Sequence, residues 1–514
     1  MRTCFLVVFL FVFGFNCSCS KENNSKRSLG AIGQPQETND GWQTASISQA
    51  GIDSTKLRIM LNKIFDGTYQ NIHSVLIIKN GKLVFEQYFP GYKFYYQAEN
   101  FKGEYTNFTS HTIHNLASVT KSITSLLIGI AHDHGYIDSV ETKMFNYFPE
   151  YASLNDSVKN QITLWHLLTM TSGLQWNEQD IFYSNIKNDI IQLFMVPDPV
   201  QFILSKPAID HPGTKFNYNG GNTNLLGEII QKTSGLMVDA FAKKHLFEPL
   251  GITLYEWVRI NPDMVYTSGD LKLRPRDMAK IGFLILNKGV WKSKQIISSE
   301  WVVESTRPYV HFNTREGYGY QWWIKDYALG NVSVHSIAAM GWGGQNIIIL
   351  PGMEAVVVVT AGNYATRSPN DEIIYRYILP SLNTEFKFNY EKIKNEAPIQ
   401  ESYNIIKPAE SLTSSIANFS GHWYGRGDFS IADQLIVESI DTTEASILYS
   451  WGDHPQGYFK NGYIRQKAII DNEGRLIFSF DGATLKFELD KYEDVLIGNY
   501  TRGDASSKLI MNRL

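Results

Sequence analysis

Runs of apolar residues and their spacing predict the elements of the first folded part of the chain. Two apolar strand patterns, at 74–79 and 82–86, flank Asn80-Gly81, a dipeptide that favours a two-residue hairpin turn. Strand patterns return at 319–324, 345–350 and 355–360. Strands at both ends with helices between them predict an α+β domain over residues 46–380, in which one antiparallel sheet closes over a helical insert. The helices predicted from apolar periodicity lie at about 118–134, 163–170, 223–234, 237–247, 275–288 and 299–306.

The last hundred or so residues have a different pattern, in which short alternating strands are separated by turns. This pattern predicts a small all-β barrel or sandwich over residues 413–514, and it contains no catalytic constellation. Residues 381–412 are polar and irregular, which is typical of a linker. The strands predicted in the all-β part lie at 435–440, 445–451, 476–480, 483–489, 495–500 and 508–511.

An apolar run of about eleven residues follows Arg2 and is too short to span a bilayer. It predicts a signal peptide over residues 1–19, followed by a flexible polar linker over residues 20–45. Cys19, with a polar stretch after it, resembles the lipid-acceptor cysteine of a bacterial lipoprotein. We therefore expect an exported protein of the bacterial cell envelope, attached to the membrane only through Cys19. The alternative is a soluble secreted protein with an ordinary cleavage site.

Composition and charge exclude several classes of function. The 514 residues carry a formal net charge of −4 and no strong basic run, so nucleic acid is not an expected partner. The sequence has no cysteine after Cys19, which leaves no disulfide or thiol chemistry to the mature fold. It contains no Gly-x-Ser-x-Gly elbow and no His-Glu-x-x-His or other metal-ligand spacing. We expect neither a metal nor another cofactor.

The residues that carry the chemistry lie at 116–122, just ahead of a long apolar run. Read as a helix, this stretch places Ser118 in the first turn and Lys121 one turn on, on the same face. A lysine can take the proton of a serine hydroxyl if burial or nearby positive charge lowers the lysine pKa. The first turn also offers unpaired backbone N–H groups that stabilise an oxyanion. The tetrapeptide alone is a weak signal, because Ser-x-x-Lys also occurs at Ser18/Lys21 and Ser184/Lys187.

The order of several motifs is more specific than any one of them. Residues from about 70 to 365 resemble the serine β-lactamase and penicillin-binding-protein superfamily. Within it they are most similar to the class C-like branch, which includes family VIII carboxylesterases, 6-aminohexanoate-dimer hydrolases and D-aminopeptidases. The resemblance implies a β-lactamase-like antiparallel sheet flanked by helices, with a helical subdomain. The stretches that carry it are Ser118-Val119-Thr120-Lys121, Leu164 to Leu174, Pro212-Gly213-Thr214, Leu225-Leu226-Gly227 and Arg276 to Lys280.

The second motif of this superfamily is Tyr-x-Asn, and Tyr218-Asn219-Gly220 is the matching stretch. The resemblance assigns Tyr218 as a catalytic tyrosine, whose pKa a nearby lysine ammonium would lower. Gly220 stands where asparagine is usual, so the amide that contacts the acyl side chain of a β-lactam is missing. Trp176-Asn177-Glu178 is read as a loop at the rim of the cleft, where Trp176 contributes to substrate binding; a solvated turn is the alternative.

The third motif of the superfamily is Lys-Thr-Gly or His-x-Gly on the strand that lines the cleft. We align Trp342-Gly343-Gly344 with it, in the Trp-x-Gly form of family VIII esterases. The glycines would let the strand approach a substrate closely, and the N–H of Gln345 would pair with that of Ser118 as the oxyanion hole. The alternative is a glycine cluster that only forms the turn between two strands. Trp342 replaces a cation that would bind a substrate carboxylate, which favours neutral or apolar substrates.

The resemblance and the residues together predict a serine hydrolase with a covalent acyl-enzyme intermediate. Ser118 would attack the carbonyl of a small-molecule ester or amide, while Lys121 and Tyr218 share its proton. One alternative is a β-lactamase or D-Ala peptidase that acts on β-lactams or peptidoglycan peptides. Another is a catalytically inactive binding protein of the cell envelope.

Overall fold

The structure is a computed structural model that describes residues 32–329, 332–382, 390–427, 431–454 and 457–514. The predicted signal peptide, Cys19 and the Ser18/Lys21 pair lie outside the described residues, so export and lipidation stay predictions. The strands up to residue 361 are β1 (Ile72–Lys79), β2 (Lys82–Tyr88), β3 (Pro90–Phe94), β4 (Lys102–Asn107), β5 (His114–Asn115), β6 (Glu256–Trp257), β7 (Arg259–Asn261), β8 (Met264–Val265), β9 (Leu271–Leu273), β10 (Val290–Trp291), β11 (Lys294–Gln295), β12 (Val310–His311), β13 (Glu316–Tyr318), β14 (Trp323–Leu329), β15 (Val332–Gly341), β16 (Gln345–Leu350) and β17 (Ala355–Ala361).

Helix α1 (Ser54–Phe65) precedes these strands, the other helices lie between and after them, and the remaining strands follow the last helix. The helices are α1 (Ser54–Phe65), α2 (Val119–Asp133), α3 (Leu164–Leu168), α4 (Asp189–Leu193), α5 (Pro199–Ser205), α6 (Gly220–Ser234), α7 (Val238–Ala242), α8 (Pro275–Leu286), α9 (Ser299–Ser305), α10 (Asn370–Ile373), α11 (Leu379–Leu382), α12 (Tyr390–Glu396) and α13 (Ser414–Ala417). The C-terminal strands are β18 (Gly421–Gly427), β19 (Ala432–Ile440), β20 (Glu444–Trp451), β21 (Gly462–Ile470), β22 (Leu476–Phe480), β23 (Ala483–Leu489), β24 (Val495–Arg502) and β25 (Ala505–Arg513).

A large antiparallel sheet joins the two ends of the first domain. Its strand order is β12-β13-β14-β15-β16-β17-β1-β2, and the N-terminal hairpin β1–β2 pairs with β17, so that Val75 lies opposite Val359. Both faces of the sheet are covered: α2 and α8 pack on one face, and α1 with α11 packs on the other. This explains why β1 and β17 are apolar without alternation. The predicted α+β fold, with helices inserted between the strands, is confirmed.

The C-terminal strands form a closed barrel in the order β18 to β25, so the barrel is the correct form of the barrel-or-sandwich prediction. The barrel contacts the first domain through ion pairs, in which Glu493 accepts from Lys56 at 2.6 Å and from Arg376 at 2.9 Å, and Lys63 pairs with Asp490. Because Lys56 and Lys63 belong to α1, the barrel packs on the opposite side of the sheet from α2.

Some local predictions differ from the structure. The strand predicted at 319–324 is broken between β13 and β14, because Gln321 has a φ of +63° and its side chain donates to the Leu167 and Leu168 carbonyls at 3.0 and 3.1 Å. β15 was not predicted, because polar residues interrupt its first half, where Val332, Ser333 and His335 are exposed. The segment at 90–112, whose sequence rich in Tyr, Phe and Asn is typical of a loop, contains the hairpin β3–β4.

Parts of both predicted linkers pack on the domains. Trp42 is 4% exposed and its Nε1 donates to the Arg276 carbonyl at 3.1 Å, so residues near it are not the flexible spacer that polar composition predicted. Helix α12 places Ile393 against the barrel, and Gln434 Nε2 donates to the Ala397 carbonyl at 2.5 Å. A single buried aromatic or aliphatic side chain in a polar stretch is enough to fix it to a folded surface.

A buried carboxyl group in the barrel makes the stability of the folded chain depend on pH. Asp433 is 4% exposed and accepts from the Tyr449 hydroxyl at 2.5 Å, and burial raises its pKa from 3.8 to about 7. The folded chain therefore holds this proton more tightly than the unfolded chain, so stability falls as the pH rises from about 4 to about 7. Asp433→Asn keeps the shape without the charge, and we expect it to remove a loss of a few kcal/mol over this range. Thermal unfolding of both proteins at pH 5 and pH 7.5 tests this; equal pH dependence would contradict it.

Candidate active site

The turn before α2 presents the Ser118 hydroxyl to the cleft. Ser118 is the residue at the N-terminal cap of α2, is half-buried, and does not use its side chain to cap the helix. Ala117 before it has a φ of +45°, a conformation that costs a non-glycine residue free energy. Asn115 supports this turn, because its Oδ1 accepts from the Ala117 N–H at 2.8 Å. The hydroxyl is therefore left for other partners.

Lys121 and Tyr218 converge on that hydroxyl. Lys121 is 1% exposed, and its Nζ donates to Ser118 Oγ at 3.1 Å and to the Ser268 carbonyl at 2.9 Å. Tyr218 comes just before α6, and its ring centroid lies 4.7 Å from Lys121 Nζ. Its hydroxyl interacts electrostatically with both Ser118 and Lys121. The structure thus brings together the three residues that were predicted to be catalytic. The other described Ser-x-x-Lys pair, Ser184/Lys187, is exposed to solvent.

The charges of this cluster differ from the prediction. Burial lowers the pKa of Lys121, but the Glu178 carboxylate and Tyr218 raise it by more, so that it lies above its ordinary value. Burial raises the pKa of Tyr218, and Lys121 only partly offsets this rise. The expectation that both pKa values are lowered is therefore wrong. In the free protein Lys121 is an ammonium group and Tyr218 is a neutral phenol.

Glu178 is the residue that sequence reasoning placed wrongly. It is not at a rim: it is 2% exposed, and its Oε1 lies 3.4 Å from Lys121 Nζ and accepts from the Tyr183 hydroxyl at 3.1 Å. Its Oε2 accepts from Trp176 Nε1 at 3.0 Å and from the Gly220 N–H at 2.7 Å. An acidic residue beside a tryptophan, together with a glycine in the second motif, was the only signal for this arrangement in the sequence.

Two residues predicted to bind substrate are buried instead. Trp176 is 5% exposed, and its ring packs against Phe202. Its Nε1 donates to Glu178 Oε2, so it holds Glu178 in place. Gly220 begins α6, and a Cβ atom there would lie 2.7 Å from Glu178 Oε2 and 2.5 Å from Ile190 Cδ1. The missing side chain at 220 therefore makes room for protein atoms rather than for substrate.

The aligned third motif forms the turn between β15 and β16. Gly343 and Gly344 have φ values of +83° and +93°, and Cβ atoms there would meet Tyr364 and Ser368 at 2.3 and 2.5 Å. Both glycines are buried, so they serve this tight turn and not the approach of a substrate, which corrects the prediction.

The residue that approaches the nucleophile is Gly341, at the end of β15. A Cβ atom on Gly341 would lie 3.2 Å from the Ser118 nitrogen and 2.3 Å from the Leu116 carbonyl oxygen. Gln345 lies opposite Gly341 in the ladder and is fully buried, with its Nε2 donating to the Ala361 carbonyl at 2.6 Å. The oxyanion role of the Gln345 N–H stays a prediction, and half-buried Gly341 is the glycine that lies against Ser118.

Trp342 is the part of the third motif that faces an open side. It is half-buried, and its Nε1 donates to the Tyr364 carbonyl at 3.0 Å. Aromatic rings from the β3–β4 hairpin, from the loop after Glu178 and from the segment after β17 surround it, with centroids 4.8 to 5.9 Å away. These rings belong to Phe94, Phe101, Phe182, Tyr183 and Tyr364. Tyr183 also donates to Glu178, so this aromatic cluster is joined directly to the Lys121 cluster.

In the described part of the chain, no group of three or more His, Cys, Asp and Glu side chains is placed to hold a metal ion. Among the same residues, no helix combines the length and the apolar character that a membrane crossing needs.

Comparison with known proteins agrees with this fold. The family model described as Beta-lactamase matches residues 73–378, which is more than half of the chain, and the chain therefore belongs to the beta-lactamase family. Membership of this family supports a serine hydrolase in general.

Two curated relatives and one solved structure are similar over parts of their length. The 6-aminohexanoate-dimer hydrolase of Paenarthrobacter ureafaciens is 23% identical over 264 residues, which are 48% of this chain and 65% of that protein. The ML-236A carboxylate methylbutanoyltransferase of Penicillium citrinum is 27% identical over 177 residues, which are 30% of this chain and 40% of that protein. The chain thus spans less than two thirds of either relative. A Bacillus anthracis structure described as a 6-aminohexanoate-dimer hydrolase has a TM-score of 0.51 at 20% identity, covering 64% of this chain and 82% of that one, and shows the fold alone.

Proposed function

We propose that this protein is a serine hydrolase that acts through a covalent acyl-enzyme on neutral esters or amides with an apolar acyl group. The observation that carries the proposal is the placement of Lys121 Nζ 3.1 Å from Ser118 Oγ, with Tyr218 beside both. The N–H groups at the start of α2 are available to stabilise the negative charge that develops on the carbonyl oxygen during attack.

The reaction begins when Ser118 Oγ attacks the carbonyl carbon and its proton passes to the Lys121–Tyr218 pair. Because Lys121 is an ammonium and Tyr218 a phenol in the free protein, the pair accepts this proton only after losing one of its own. Activity therefore rises with pH. The proton then moves to the leaving alkoxide or amine, and water releases the acyl group from Ser118 in a second step.

The aromatic cluster around Trp342 supports the substrate class. A carboxylate on the substrate has no cation at position 342 to pair with, whereas an apolar acyl chain finds aromatic faces there. The same feature disfavours D-Ala peptides, whose terminal carboxylate needs a cation. The hydrolase and acyltransferase relatives, as their names describe them, both transfer or release acyl groups, which agrees with chemistry at Ser118.

The test is hydrolysis of p-nitrophenyl acetate and hexanoate by the protein, with Ser118→Ala as the blank and a chromogenic cephalosporin as a second substrate. A fluorophosphonate probe is added in parallel, and the labelled peptide is identified by mass spectrometry. Ester hydrolysis with the label on Ser118 supports the proposal. Steady cephalosporin turnover exceeding ester turnover would favour a β-lactamase instead. No turnover and no label would favour a binding protein.

Trp342 allows a prediction about specificity. In Trp342→Ala we expect kcat/KM for the hexanoate ester to fall about tenfold relative to the acetate ester, because loss of an aromatic contact costs about 1–2 kcal/mol only for the longer chain. Tyr458→Ala, at an exposed aromatic residue of the barrel, is the matched control and should leave the ratio unchanged. An equal fall for both esters would show that Trp342 does not contact the acyl chain.

A further inference from the structure

Glu178 is a buried carboxylate that the proposed acyl transfer does not use. Both of its oxygens have two partners each: Lys121 Nζ and the Tyr183 hydroxyl on Oε1, and Trp176 Nε1 and the Gly220 N–H on Oε2. A buried carboxylate with four partners is held in one position. The one partner that also contacts the nucleophile is Lys121, which donates to Ser118 Oγ.

Glu178 takes up space that the second motif leaves empty. A Cβ at Gly220 would lie 2.7 Å from Glu178 Oε2, so a side chain at 220 and the carboxylate exclude each other as the residues stand. The departure at Gly220 and the acidic residue at 178 are therefore two parts of one arrangement. Glu178, from the loop after α3, occupies the place that a side chain at 220 would otherwise take.

From this geometry we propose that Glu178 is a positioning residue, which replaces the side chain missing at Gly220 and holds Lys121 Nζ against Ser118 Oγ. The proposal rests on the proposed function and deepens it. Nζ has three oxygen neighbours, namely Ser118 Oγ at 3.1 Å, the Ser268 carbonyl at 2.9 Å and Glu178 Oε1 at 3.4 Å. Only Glu178 among these carries a charge, so its removal leaves the buried ammonium without a counter-charge.

The same contact gives Glu178 an effect that a purely structural residue would not have. The Glu178 carboxylate raises the pKa of Lys121. Its loss lowers that pKa, so the lysine–tyrosine pair gives up its proton at lower pH, while the geometry for attack is less well held. The other titratable groups that act on Lys121 or Glu178 from the surrounding elements are Tyr183, Tyr218, Tyr266, Asp270 and Tyr318. Glu178 also raises the pKa of the four tyrosines, so its loss moves their pKa values in the same direction as that of Lys121.

The experiment is the pH profile of kcat/KM for p-nitrophenyl acetate in the full chain and in Glu178→Gln. We expect the plateau to fall about tenfold to hundredfold and the rising limb to move to lower pH by about one unit. A lower plateau with the limb unmoved, or no change at all, would overturn the proposal. Glu86→Gln is the matched control, because it removes the charge of a buried ion pair with Arg276 that lies away from Ser118; it should leave the limb in place.

A second pair of variants keeps the test decisive if Glu178→Gln does not fold. Glu178→Ala empties the space beside Gly220, and the double variant Glu178→Ala/Gly220→Asn fills it with an amide from the motif position. Two other close neighbours of a Cβ at 220 remain. Ile190 Cδ1, at 2.5 Å, is the end of a flexible side chain and can move, and Ser268 Oγ, at 3.1 Å, must shift by only a few tenths of an ångström. Recovery of at least about tenfold in kcat/KM over Glu178→Ala supports the replacement; no recovery overturns it. An original protein that neither hydrolyses esters nor takes the fluorophosphonate label would instead refute the proposed function, and this proposal with it.

Discussion

Replacing Ser118 by alanine is expected to lower kcat/KM for p-nitrophenyl esters by at least about 10⁴-fold and to abolish fluorophosphonate labelling. The variant removes only Oγ, the atom that Lys121 Nζ approaches to 3.1 Å. Because that hydroxyl does not cap α2, its loss leaves the helix start intact, and we expect the thermal unfolding temperature to change little.

The chain provides a matched control for this variant in its second described Ser-x-x-Lys pair. Ser184 and Lys187 are both exposed, and the burial and tyrosine neighbour that surround Ser118 and Lys121 are what distinguish the two copies. Ser184→Ala should therefore keep full activity and full labelling. Residual turnover in Ser118→Ala above about one per cent would mean that the nucleophile lies elsewhere, and a label on Ser184 would identify it.

The fold was largely predictable because its strongest signals are local and repeated. Asn80-Gly81 between two apolar runs fixed the first hairpin, and continuous apolar runs at 345–350 and 355–360 fixed two central strands. The predictions failed where a distant contact decides the local structure. Gln321 interrupts a strand pattern because its amide binds carbonyl groups of α3, more than 150 residues earlier in the chain, and no local pattern contains that information.

The site was predictable to a different extent for each of its parts. Ser118 and Lys121 share a helix face, so their spacing alone brings them together, and the resemblance supplied Tyr218. Glu178 was misplaced because burial of a carboxylate depends on the sum of its partners, which come from four separate positions. The prediction that the pKa of Lys121 is lowered was wrong for the same reason, because this pKa depends on Glu178 and not on burial alone.

Lys121→Ala is expected to lower kcat/KM by about 10²- to 10⁴-fold, because it removes both the proton acceptor and the group that orients Ser118 Oγ. It also leaves the Glu178 carboxylate buried without its counter-charge. We expect this to lower the free energy of unfolding by about 3–5 kcal/mol. Loss of activity in this variant alone would therefore confuse chemistry with unfolding.

A second variant and a rescue experiment separate these two causes. Lys121→Met/Glu178→Gln removes both charges at nearly constant volume, so we expect a melting temperature close to that of the original protein together with the same loss of activity. Small primary amines such as methylamine, added to Lys121→Ala, should restore part of the rate, because the truncated side chain leaves a cavity next to Ser118 Oγ that an amine can enter. Folded variants that retain activity within about threefold would remove Lys121 from the proton transfer. Tyr218, the other group that interacts with Ser118, would then have to accept the proton alone.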